Sequence, residues 1–452
     1  MEEEILIPSP PPPHPKGDSM RVREILEEAP LKSYHYRLFV AAYIGWMFDA
    51  MNSGLISFVL RPLSAELGLT PSVVGLMLSS WLMGMVVGAS LMGTLADRVG
   101  RKPIIISSLL LYSIPAGLCA LMDRWELIAA LRFLAGMGAS SYMIVTSTLI
   151  SECFPRRMRG RAVAFLESAW AFGWLLAAYL GLILAPTRGW RPVIMAGFTP
   201  IIAAIIFQLL VPESPRFLGR AGRLEEAADI LVETALLPEE RRGELKAEGV
   251  EARRLPIASL WSTAYRRRTL MLWIHWFCIV LVYWGIFLWA PYILVAERGL
   301  TLVRSLWYSL LMTVMQIPGY WSGALLIERV GRRRLLALYM ALAGLGSLMF
   351  SIAHTPLEVL IWGSVISFFN LGAWGITYAY TPELYPTEMR ATGAGWANSV
   401  GRIGGILGPY IAGVLIGLTG STPLFILFAL LHLISASAVT LLGVETKGVS
   451  ID

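Results

Sequence analysis

The chain has few charged residues. Only 15% of its 452 residues are Asp, Glu, Lys or Arg, whereas 56% are hydrophobic, and the mean hydropathy is +0.63. Soluble domains carry roughly 25% charged residues, so the composition excludes an ordinary soluble domain and indicates an integral membrane protein. The net charge of +6 does not indicate a nucleic-acid partner. The cations lie in short clusters between apolar runs, where they set membrane orientation.

Cysteine and histidine are also scarce. Cys119, Cys153 and Cys278 lie in or beside apolar runs and form no CxxC motif, which predicts packing thiols rather than disulfides or a metal site. No nucleophile–base motif, metal-ligand spacing or phosphate-binding loop is present. His275 and His354 lie near the ends of apolar runs, which favours an interfacial position over a catalytic one. We therefore expect no enzyme activity, no cofactor, no metal and, without an N-terminal apolar run and cleavage site, no signal peptide.

Long apolar runs, in contrast, are abundant. Twelve of them are long enough to cross a bilayer as helices, which need about 20 predominantly apolar residues. They fall at about 38–60, 72–96, 103–122, 125–150, 160–184 and 191–211, and again at about 270–294, 303–327, 334–353, 357–381, 391–415 and 422–442. This spacing predicts an all-α membrane protein with 12 transmembrane helices in two six-helix halves.

The polar segments complete the predicted organisation. Lys and Arg concentrate in the loops after the second, fourth and eighth runs, so the positive-inside rule places both termini and the central segment in the cytoplasm. The predicted segments are a polar, Pro-rich cytoplasmic tail (1–37), an N-terminal six-helix bundle (38–211), a cytoplasmic linker with amphipathic helices (212–269), a C-terminal six-helix bundle (270–442) and a cytoplasmic tail (443–452).

The two halves repeat each other in sequence. GTLADRVGRK at 93–102 recurs as GALLIERVGRR at 323–333, after the second and the eighth run. ECFPRRMRGRA at 152–162 recurs as ELYPTEMRATG at 383–393, after the fourth and the tenth. Parallel half-repeats with a binding site between them are the architecture of one class of transporters.

These motifs resemble those of the major facilitator superfamily. GTLADRVGRK is similar to the signature of its loop between spans 2 and 3, and LRFLAGMGAS at 131–140 resembles its span 4 signature. PESPRFLGRAGRLEEA at 212–227 and PELYPTEMRATG at 382–393 resemble the branch with sugar porters, aromatic-acid and nicotinate symporters, organic-ion transporters and synaptic-vesicle-2-like proteins. The resemblance implies a transporter that works by alternating access.

The repeated loops carry a set of predicted gate residues. In the superfamily such loops form a charge cluster that links the two halves and closes the cytoplasmic side. For any single arginine, a role only in setting the orientation of its span in the membrane is an equal alternative to a gate role. Acidic residues do not set this orientation, so the alternative is weaker for them. The predicted gate residues are Gly93, Asp97, Arg98, Gly100, Arg101, Glu152, Arg159, Glu328, Arg329, Arg332, Glu383 and Arg390.

Four ionisable residues fall well inside the predicted spans: Asp49, Arg132, Glu167 and Arg402. Intramembrane charges are costly and usually pair with one another or face an aqueous cavity, so each is either functional or part of a buried structural ion pair. In the proton-coupled sugar porters that the chain resembles, an aspartate at the position of Asp49 interacts with an arginine at that of Arg132, and protonation frees the arginine. The resemblance therefore implies that Asp49 carries a proton.

The predicted substrate follows from spans 7 and 11. Where sugar porters have polar span 7 residues, this chain has Cys278, Ile279 and Trp284, so a sugar would leave polar groups unpaired. NSVGRIGGILGPYI at 398–411 resembles span 11 of organic-anion and aromatic-acid transporters, where an arginine meets the substrate carboxylate in a bidentate pair. The predicted substrate-binding residues are Glu167, Trp284, Trp374, Tyr378, Trp396 and Arg402. For the aromatic ones, packing or an interfacial belt is the alternative.

These observations favour a secondary active transporter of a small organic solute, an aromatic or hydrophobic monocarboxylate, by proton symport. One alternative is an organic-cation transporter that uses Asp49 and Glu167 as counter-charges and aromatic rings for cation–π contacts. A transporter of sugars or other metabolites and a non-transporting membrane receptor are the others. We expect a monomer in the cell membrane, with the solute, the proton and the lipid bilayer as its partners.

Overall fold

The structure is a bundle of long helices. A computed structural model describes residues 20–246 and 257–447, which contain 19 α-helices. A parallel pair of two-residue strands, β1 (Met20–Arg21) and β2 (Leu245–Lys246), is the sheet within that part of the chain. Parts of the predicted tails and linker, residues 1–19, 247–256 and 448–452, lie outside the described residues.

The N-terminal half begins with a short helix and continues with long ones. The helices are α1 (Val22–Glu28), α2 (Ser33–Leu55), α3 (Leu60–Glu66), α4 (Pro71–Val99), α5 (Arg101–Leu118), α6 (Trp125–Cys153), α7 (Arg156–Arg188), α8 (Trp190–Met195) and α9 (Pro200–Leu210). The first predicted span, 38–60, is interrupted, because α2 ends at Leu55 and a 3₁₀ turn at Ser57–Val59 leads into α3.

The linker and the C-terminal half follow in the same pattern. The linker helices are α10 (Pro215–Arg220) and α11 (Leu224–Glu233), the second within the predicted amphipathic stretch. The helices of the C-terminal half are α12 (Arg266–Phe287), α13 (Ala290–Ala296), α14 (Leu302–Val314), α15 (Gln316–Val330), α16 (Arg332–Ser351), α17 (Pro356–Glu383), α18 (Thr387–Thr419) and α19 (Ser421–Leu442).

Eleven helical segments in the described residues are long and apolar enough to cross a membrane. Five belong to the N-terminal half: Pro71–Ala89, Arg101–Leu121, Trp125–Cys153, Arg156–Arg188 and Trp190–Leu210. Six belong to the C-terminal half: Arg266–Phe287, Leu302–Val330, Arg332–Ser351, Pro356–Glu383, Thr392–Thr419 and Ser421–Leu442. α2, with 23 residues and Asp49 among them, is not one of the eleven.

The repeated loops fold in the same way in both halves. α4 ends at Val99 and α15 at Val330, and the glycines that follow, Gly100 and Gly331, have φ angles of +116° and +97°. Glycine adopts positive φ without the steric cost that other residues meet, so each glycine lets the next helix start at once. The two loops turn the chain at the same end of the bundle, which we call the charged end. The other end, with the turns at 56–70 and 288–301, is the opposite end.

The halves are hydrogen-bonded to each other near the opposite end. The Ser57 hydroxyl donates to the carbonyls of Phe287 and Leu288, at 2.9 Å each, and the Ser79 hydroxyl donates to the carbonyl of Ile406 at 2.7 Å. Gly75 on α4 packs against the backbone of α18, where an added Cβ would lie 2.7 Å from a carbonyl oxygen. The two halves are therefore in tight contact at this end.

A small apolar cluster joins the N-terminal segment to the linker. Val22 and Leu26 of α1 are fully buried and pack with Phe217 and Leu231 of the linker helices. The Glu27 carboxylate accepts from Arg23 at 2.9 Å and lies 3.5 Å from Arg159, at the start of α7. Partial burial raises the pKa of Glu27, but the hydrogen bond and charge of Arg23 and the charge of Arg159 outweigh this effect and hold that pKa below its usual value.

Candidate functional site

A cavity lies between the two halves. Helices α4, α6 and α7 of the N-terminal half and α12, α15, α17 and α18 of the C-terminal half contribute its walls. The lining residues are Leu82, Met85, Met143, Glu167, Trp170, Trp276, Val280, Tyr283, Trp284, Tyr320, Leu371, Trp374, Tyr378, Asn398, Arg402 and Gly405.

Seven of the sixteen lining residues are aromatic. Trp284 meets Trp170 edge-to-face at 6.1 Å and Tyr283 at 5.3 Å, and Tyr283 meets Trp374 at 5.6 Å. Trp374 lies 5.7 Å from Tyr378. Edge-to-face packing keeps such rings in fixed orientations, so the walls offer flat, rigid surfaces to a planar ligand.

The cavity contains one arginine, Arg402, on α18. Its Nε donates to Oδ1 of Asn398, one helical turn earlier, at 3.2 Å. No described carboxylate lies within ion-pair distance of its guanidinium. Gly404 and Gly408 let α18 approach the backbone of α12 closely, which directs the face carrying Arg402 towards the cavity. An arginine fork with free donors is suited to a carboxylate ligand.

The cavity also contains one carboxylate, Glu167, on α7. It is half-buried and precedes Trp170 by three residues, so both side chains lie on the same face of the helix. Among the described residues Glu167 has neither a hydrogen-bond donor nor an ion pair, so it is not paired with Arg402. The phenol of Tyr378 lies within electrostatic reach of both charges.

Asp49 lies behind the cavity wall. Its side chain is 1% exposed, and its Oδ1 atom has no hydrogen-bond partner in the described part of the chain. Tyr112 and Tyr142 donate to the carbonyls of Gly45 and Ala42 on the same helix and are near enough for the charge of Asp49 to act on them. The cation that acts on Asp49 is Arg402.

Arg132 is placed differently from the expectation. Its guanidinium lies 5.2 Å from the ring of Trp81, and it borders a separate, smaller cavity that Asn52 also lines. It is buried, and its Nε atom has no acceptor within residues 20–246 and 257–447. The expected interaction with Asp49 is therefore absent from this conformation, because stacking on Trp81 directs the arginine to the second cavity.

Trp396 is not part of the cavity wall. It precedes Asn398 by two residues, which places it on a different face of α18 because successive helical residues are about 100° apart. Its side chain is 43% exposed and stacks on Trp273 at 6.4 Å. Of the six predicted substrate-binding residues, the structure brings five together around the cavity: Glu167, Trp284, Trp374, Tyr378 and Arg402.

The predicted gate residues of the N-terminal half form a buried ion pair. Arg101 binds Glu152 through Nε at 3.2 Å and Nη2 at 2.9 Å, and both side chains are nearly inaccessible, at 4% and 6%. Asp97 adds an exposed contact to Arg101 at 3.0 Å. The linker closes the cluster. Glu213 accepts from the backbone N–H of Arg101 at 2.9 Å, and Ser214 donates its hydroxyl to Glu152 at 2.8 Å.

The C-terminal half contains the same arrangement. Arg332 binds Glu383 at 3.0 Å and Glu328 at 2.7 Å. Glu445 accepts from the backbone N–H of Arg332 at 2.8 Å, and Thr446 donates its hydroxyl to Glu383 at 2.6 Å. The resemblance implied a cluster that links one half to the other. These ion pairs instead lie within each half and fasten the linker and the C-terminal segment to the helix ends.

The other predicted gate residues have varied surroundings. Gly100 and Gly331 pack so closely against Glu213 and Glu445 that an added Cβ would collide with these carboxylates. Arg98 and Arg329 are exposed. Arg159 reaches Glu27 of the N-terminal segment, and the Nε of Arg390 has no acceptor in the described residues. Gly93 lies in α4, and its surroundings are outside what the structure describes.

The structure adds cavity residues that sequence reasoning missed. Trp170, Trp276, Tyr283, Tyr320 and Asn398 line the site. Trp170 lies one turn after Glu167 and Asn398 one turn before Arg402, so helical spacing from the two charges was a usable signal. For Trp276, Tyr283 and Tyr320 no such signal exists, because aromatic residues are frequent throughout these spans.

The sequence favoured an interfacial position for His275, but the structure places this residue in the interior of the C-terminal half. It is fully buried, with its ring nitrogens 2.7 Å from the hydroxyls of Ser435 and Thr377. Thr381 on the same helix as Thr377 accepts from the indole N–H of Trp276 at 3.0 Å. These hydrogen bonds join α12 to α17 and α19 behind the cavity wall, so His275 supports the position of the aromatic residues in front of it.

Comparison with known proteins gives consistent matches over nearly the whole chain. The family model described as "Sugar (and other) transporter" matches residues 35–452. The niacin transporter NiaP of Acinetobacter baylyi is 38% identical over 434 residues, 94% of this chain and 98% of that protein. The gallate transporter of Pseudomonas putida is 29% identical over 417 residues, 91% of this chain and 92% of that protein.

The fold also matches solved structures. The partially occluded inward-open conformation of the xylose transporter XylE from E. coli superimposes with a TM-score of 0.70, covering 92% of this chain and 100% of that chain. The identity is 18%, so this match concerns the fold alone.

Proposed function

The chain belongs to the sugar (and other) transporter family of the major facilitator superfamily, and we propose that it carries a small aromatic monocarboxylate together with a proton. As a member of this family with many apolar helices it is an integral, multi-pass membrane transporter. The proposal concerns the substrate, the coupling ion and the topology. We propose no catalytic step, cofactor or nucleic-acid partner, and we propose that the transporter functions as a monomer.

The observation that carries the substrate proposal is Arg402 in its aromatic cavity. The guanidinium is held by Asn398 and has no carboxylate partner in the described residues. Arg402 is half-buried in a cavity between membrane-spanning helices, where a charge without a partner is costly, so a ligand carboxylate is favoured at this position. The flat aromatic walls suit a ring attached to that carboxylate. The relatives named for niacin, which is pyridine-3-carboxylic acid, and for gallate, a benzene carboxylate, agree with this class.

Asp49 is the proposed proton carrier. It is buried, and the cation that acts on it is Arg402 rather than Arg132. A substrate carboxylate that neutralises Arg402 removes this support for the ionised form, and an opposite charge nearby is what favours ionisation of a buried acid. Binding of the anion and protonation of Asp49 therefore favour each other. The two charges then cross the membrane together, which is symport.

The proposed topology has twelve spans with both termini in the cytoplasm. α2 is the twelfth span, because it packs along α7 and α9 within the N-terminal half. The charged end then faces the cytoplasm, as the arginine clusters require. With the halves joined at the opposite end, the structure corresponds to a state that opens inwards. The five predicted segments, from the tail at 1–37 to the tail at 443–452, remain part of this proposal.

A ligand-binding screen tests the substrate class. Purified protein is heated with small organic anions, such as nicotinate and benzoate, and with organic cations, and the melting temperature is recorded for wild type and for Arg402→Gln. Stabilisation by the aromatic anions that is lost in the variant supports the proposal. Stabilisation by cations alone, retained in the variant, contradicts it and favours the organic-cation alternative, for which Glu167 and the aromatic rings would provide the site.

A further inference from the structure

The cavity contains two opposite charges that do not neutralise each other. Glu167 and Arg402 are the ionisable acid and base among its lining residues, and neither has an ion-pair partner in the described part of the chain. They come from different halves, since Glu167 lies on α7 and Arg402 on α18. Charges between membrane-spanning helices normally pair with one another or face an aqueous cavity. A ligand that satisfies both groups would therefore complete the site, and a carboxylate at Arg402 leaves Glu167 still without a partner.

The surroundings of Glu167 limit what its partner can be. Trp170 follows it by one helical turn, and Tyr320 and Tyr378 lie within electrostatic reach of its carboxylate. Tyr378 is also within reach of Arg402, so the two charges border the same stretch of aromatic wall. A planar molecule along this wall would present its carboxylate to Arg402 and its ring edge to Glu167. The ring edge then needs a basic atom that can share a proton with the glutamate.

We propose that Glu167 binds the ring nitrogen of a pyridine monocarboxylate whose carboxylate group is bound by Arg402. This inference rests on the proposed function and narrows its substrate class from aromatic carboxylates to those with a basic ring nitrogen. A benzoate-type ligand has only C–H groups at the same position. It leaves the glutamate unsatisfied, and such a buried polar group lowers affinity by about 10- to 100-fold.

The proton in this contact is shared and no covalent bond is made between the ligand and the protein. A carboxyl group can donate its O–H to the pyridine nitrogen, or a carboxylate can accept from the pyridinium N–H. Both forms contain one proton more than the separate carboxylate and pyridine. The charged or titratable groups that line the cavity with Glu167 are Arg402 on α18 and the phenols of Tyr283 on α12, Tyr320 on α15 and Tyr378 on α17. Asp49 on α2 lies outside the lining and acts on Arg402. Binding should therefore weaken at alkaline pH, where this proton is lost.

The test compares the affinities of nicotinate and benzoate for purified full-length protein. Wild type should bind nicotinate about 10- to 100-fold more tightly than benzoate. Glu167→Gln should keep this preference, because its amide N–H can donate to the ring nitrogen, but should lose the weakening of nicotinate binding at alkaline pH. Glu167→Leu should bind nicotinate as weakly as benzoate. N-methylnicotinate, which cannot accept a hydrogen bond but carries a positive ring, should bind wild type and fail to bind Glu167→Gln.

The outcomes separate this inference from the proposed function. Binding of neither anion by wild type contradicts the function itself. If wild type binds nicotinate and benzoate equally and Arg402→Gln binds neither, the proposed function stands but the role of Glu167 is overturned. A nicotinate preference that survives in Glu167→Leu overturns it as well. Melting temperatures without ligand show whether each variant is folded, and the pH profile of the nearly isosteric Glu167→Gln decides the matter if the leucine variant does not fold.

Discussion

Trp170 donates its indole N–H to the hydroxyl of Tyr283 at 2.8 Å, and this hydrogen bond joins the two halves at the wall of the central cavity. Trp170 lies on α7 and Tyr283 on α12. A movement of the two halves that separates these helices would therefore break this hydrogen bond. Both residues also face the candidate ligand. The pair therefore connects occupancy of the cavity to the relative position of the halves.

Tyr283→Phe should shift the equilibrium between conformations. A neutral hydrogen bond contributes about 1 kcal/mol, so its loss should increase the population open at the opposite end by about fivefold. The variant is made in a background with Ser79→Cys and without the three native cysteines. The rate at which Cys at position 79 reacts with a thiol reagent is measured, because Ser79 is buried between α4 and α18. An unchanged rate would show that the contact does not restrain the halves.

The two acids that contact Arg101 should differ strongly in their contributions to stability. Glu152→Gln breaks a buried ion pair and should lower the free energy of unfolding by about 3–5 kcal/mol. Asp97→Asn removes a contact made by a carboxylate that is 62% exposed, so it should lower the free energy of unfolding by about 1 kcal/mol or less. Melting temperatures of the purified variants provide the comparison. Equal shifts in both variants would contradict the assignment of Glu152 as the central acid of the cluster.

The matched residues of the C-terminal half offer a control for this comparison. Glu383→Gln should be more destabilising than Glu328→Asn, because the Glu383 side chain is 21% exposed and that of Glu328 is 69% exposed. The difference should be smaller than in the N-terminal half, since Glu383 is less buried than Glu152. The reverse order would indicate that the two clusters are not functional equivalents.

Docking of the N-terminal helix should weaken in acid. Burial raises the pKa of Glu27, but Arg23 and Arg159 outweigh it and hold that pKa below the usual value of 4.5. A lowered pKa means that Glu27 contributes stability above pH 4.5, and that the contribution is lost as the pH falls through the folded-state value. The protection factors of residues 22–28 in hydrogen exchange, which correct for the intrinsic pH dependence of exchange, should therefore fall below pH 4.5. In Glu27→Gln these protection factors should already be low at neutral pH and should not change in this way with pH.

Asp49→Asn should separate binding from proton-driven accumulation. The variant cannot exchange a proton at this position, so an imposed pH gradient should no longer concentrate substrate in proteoliposomes. Exchange of labelled for unlabelled substrate should persist, because Asp49 does not line the cavity. Arg132→Lys serves as a control for a buried charge that has no contact with Asp49 in this structure. Accumulation by Asp49→Asn would exclude this residue as the proton carrier.

Much of the fold could be predicted from the sequence because each apolar run needs a helix to satisfy its backbone in a membrane. The repeated loops around Gly100 and Gly331 fold alike because both copies keep the glycine and the arginine that follows it. The linker contacts were not predicted. Glu213 and Glu445 occupy equivalent places, but the surrounding residues, PESPR and VETKG, share too little for the repeat to be evident.

The cavity could be predicted in part. Glu167 and Arg402 were identified because charge inside an apolar run is conspicuous, and depth along the helix then selected Trp284, Trp374 and Tyr378. Depth along a helix does not determine which side of the helix a residue faces. The prediction that Trp396 lines the cavity was wrong for this reason. The expected pair of Asp49 and Arg132 depends on the conformation and on the competing ring of Trp81, neither of which is visible in a list of spans.

Uptake of labelled nicotinate into proteoliposomes with an inward pH gradient, by wild type and by Arg402→Gln, tests whether Arg402 binds the carboxylate of a transported aromatic anion. Wild type should accumulate nicotinate, and excess benzoate should reduce this uptake whereas tetraethylammonium should not. Arg402→Gln should transport little, because the bidentate carboxylate contact is lost. Arg402→Lys should be intermediate, since it keeps the charge without the fork. Nicotinate uptake by Arg402→Gln at the wild-type rate would contradict the account.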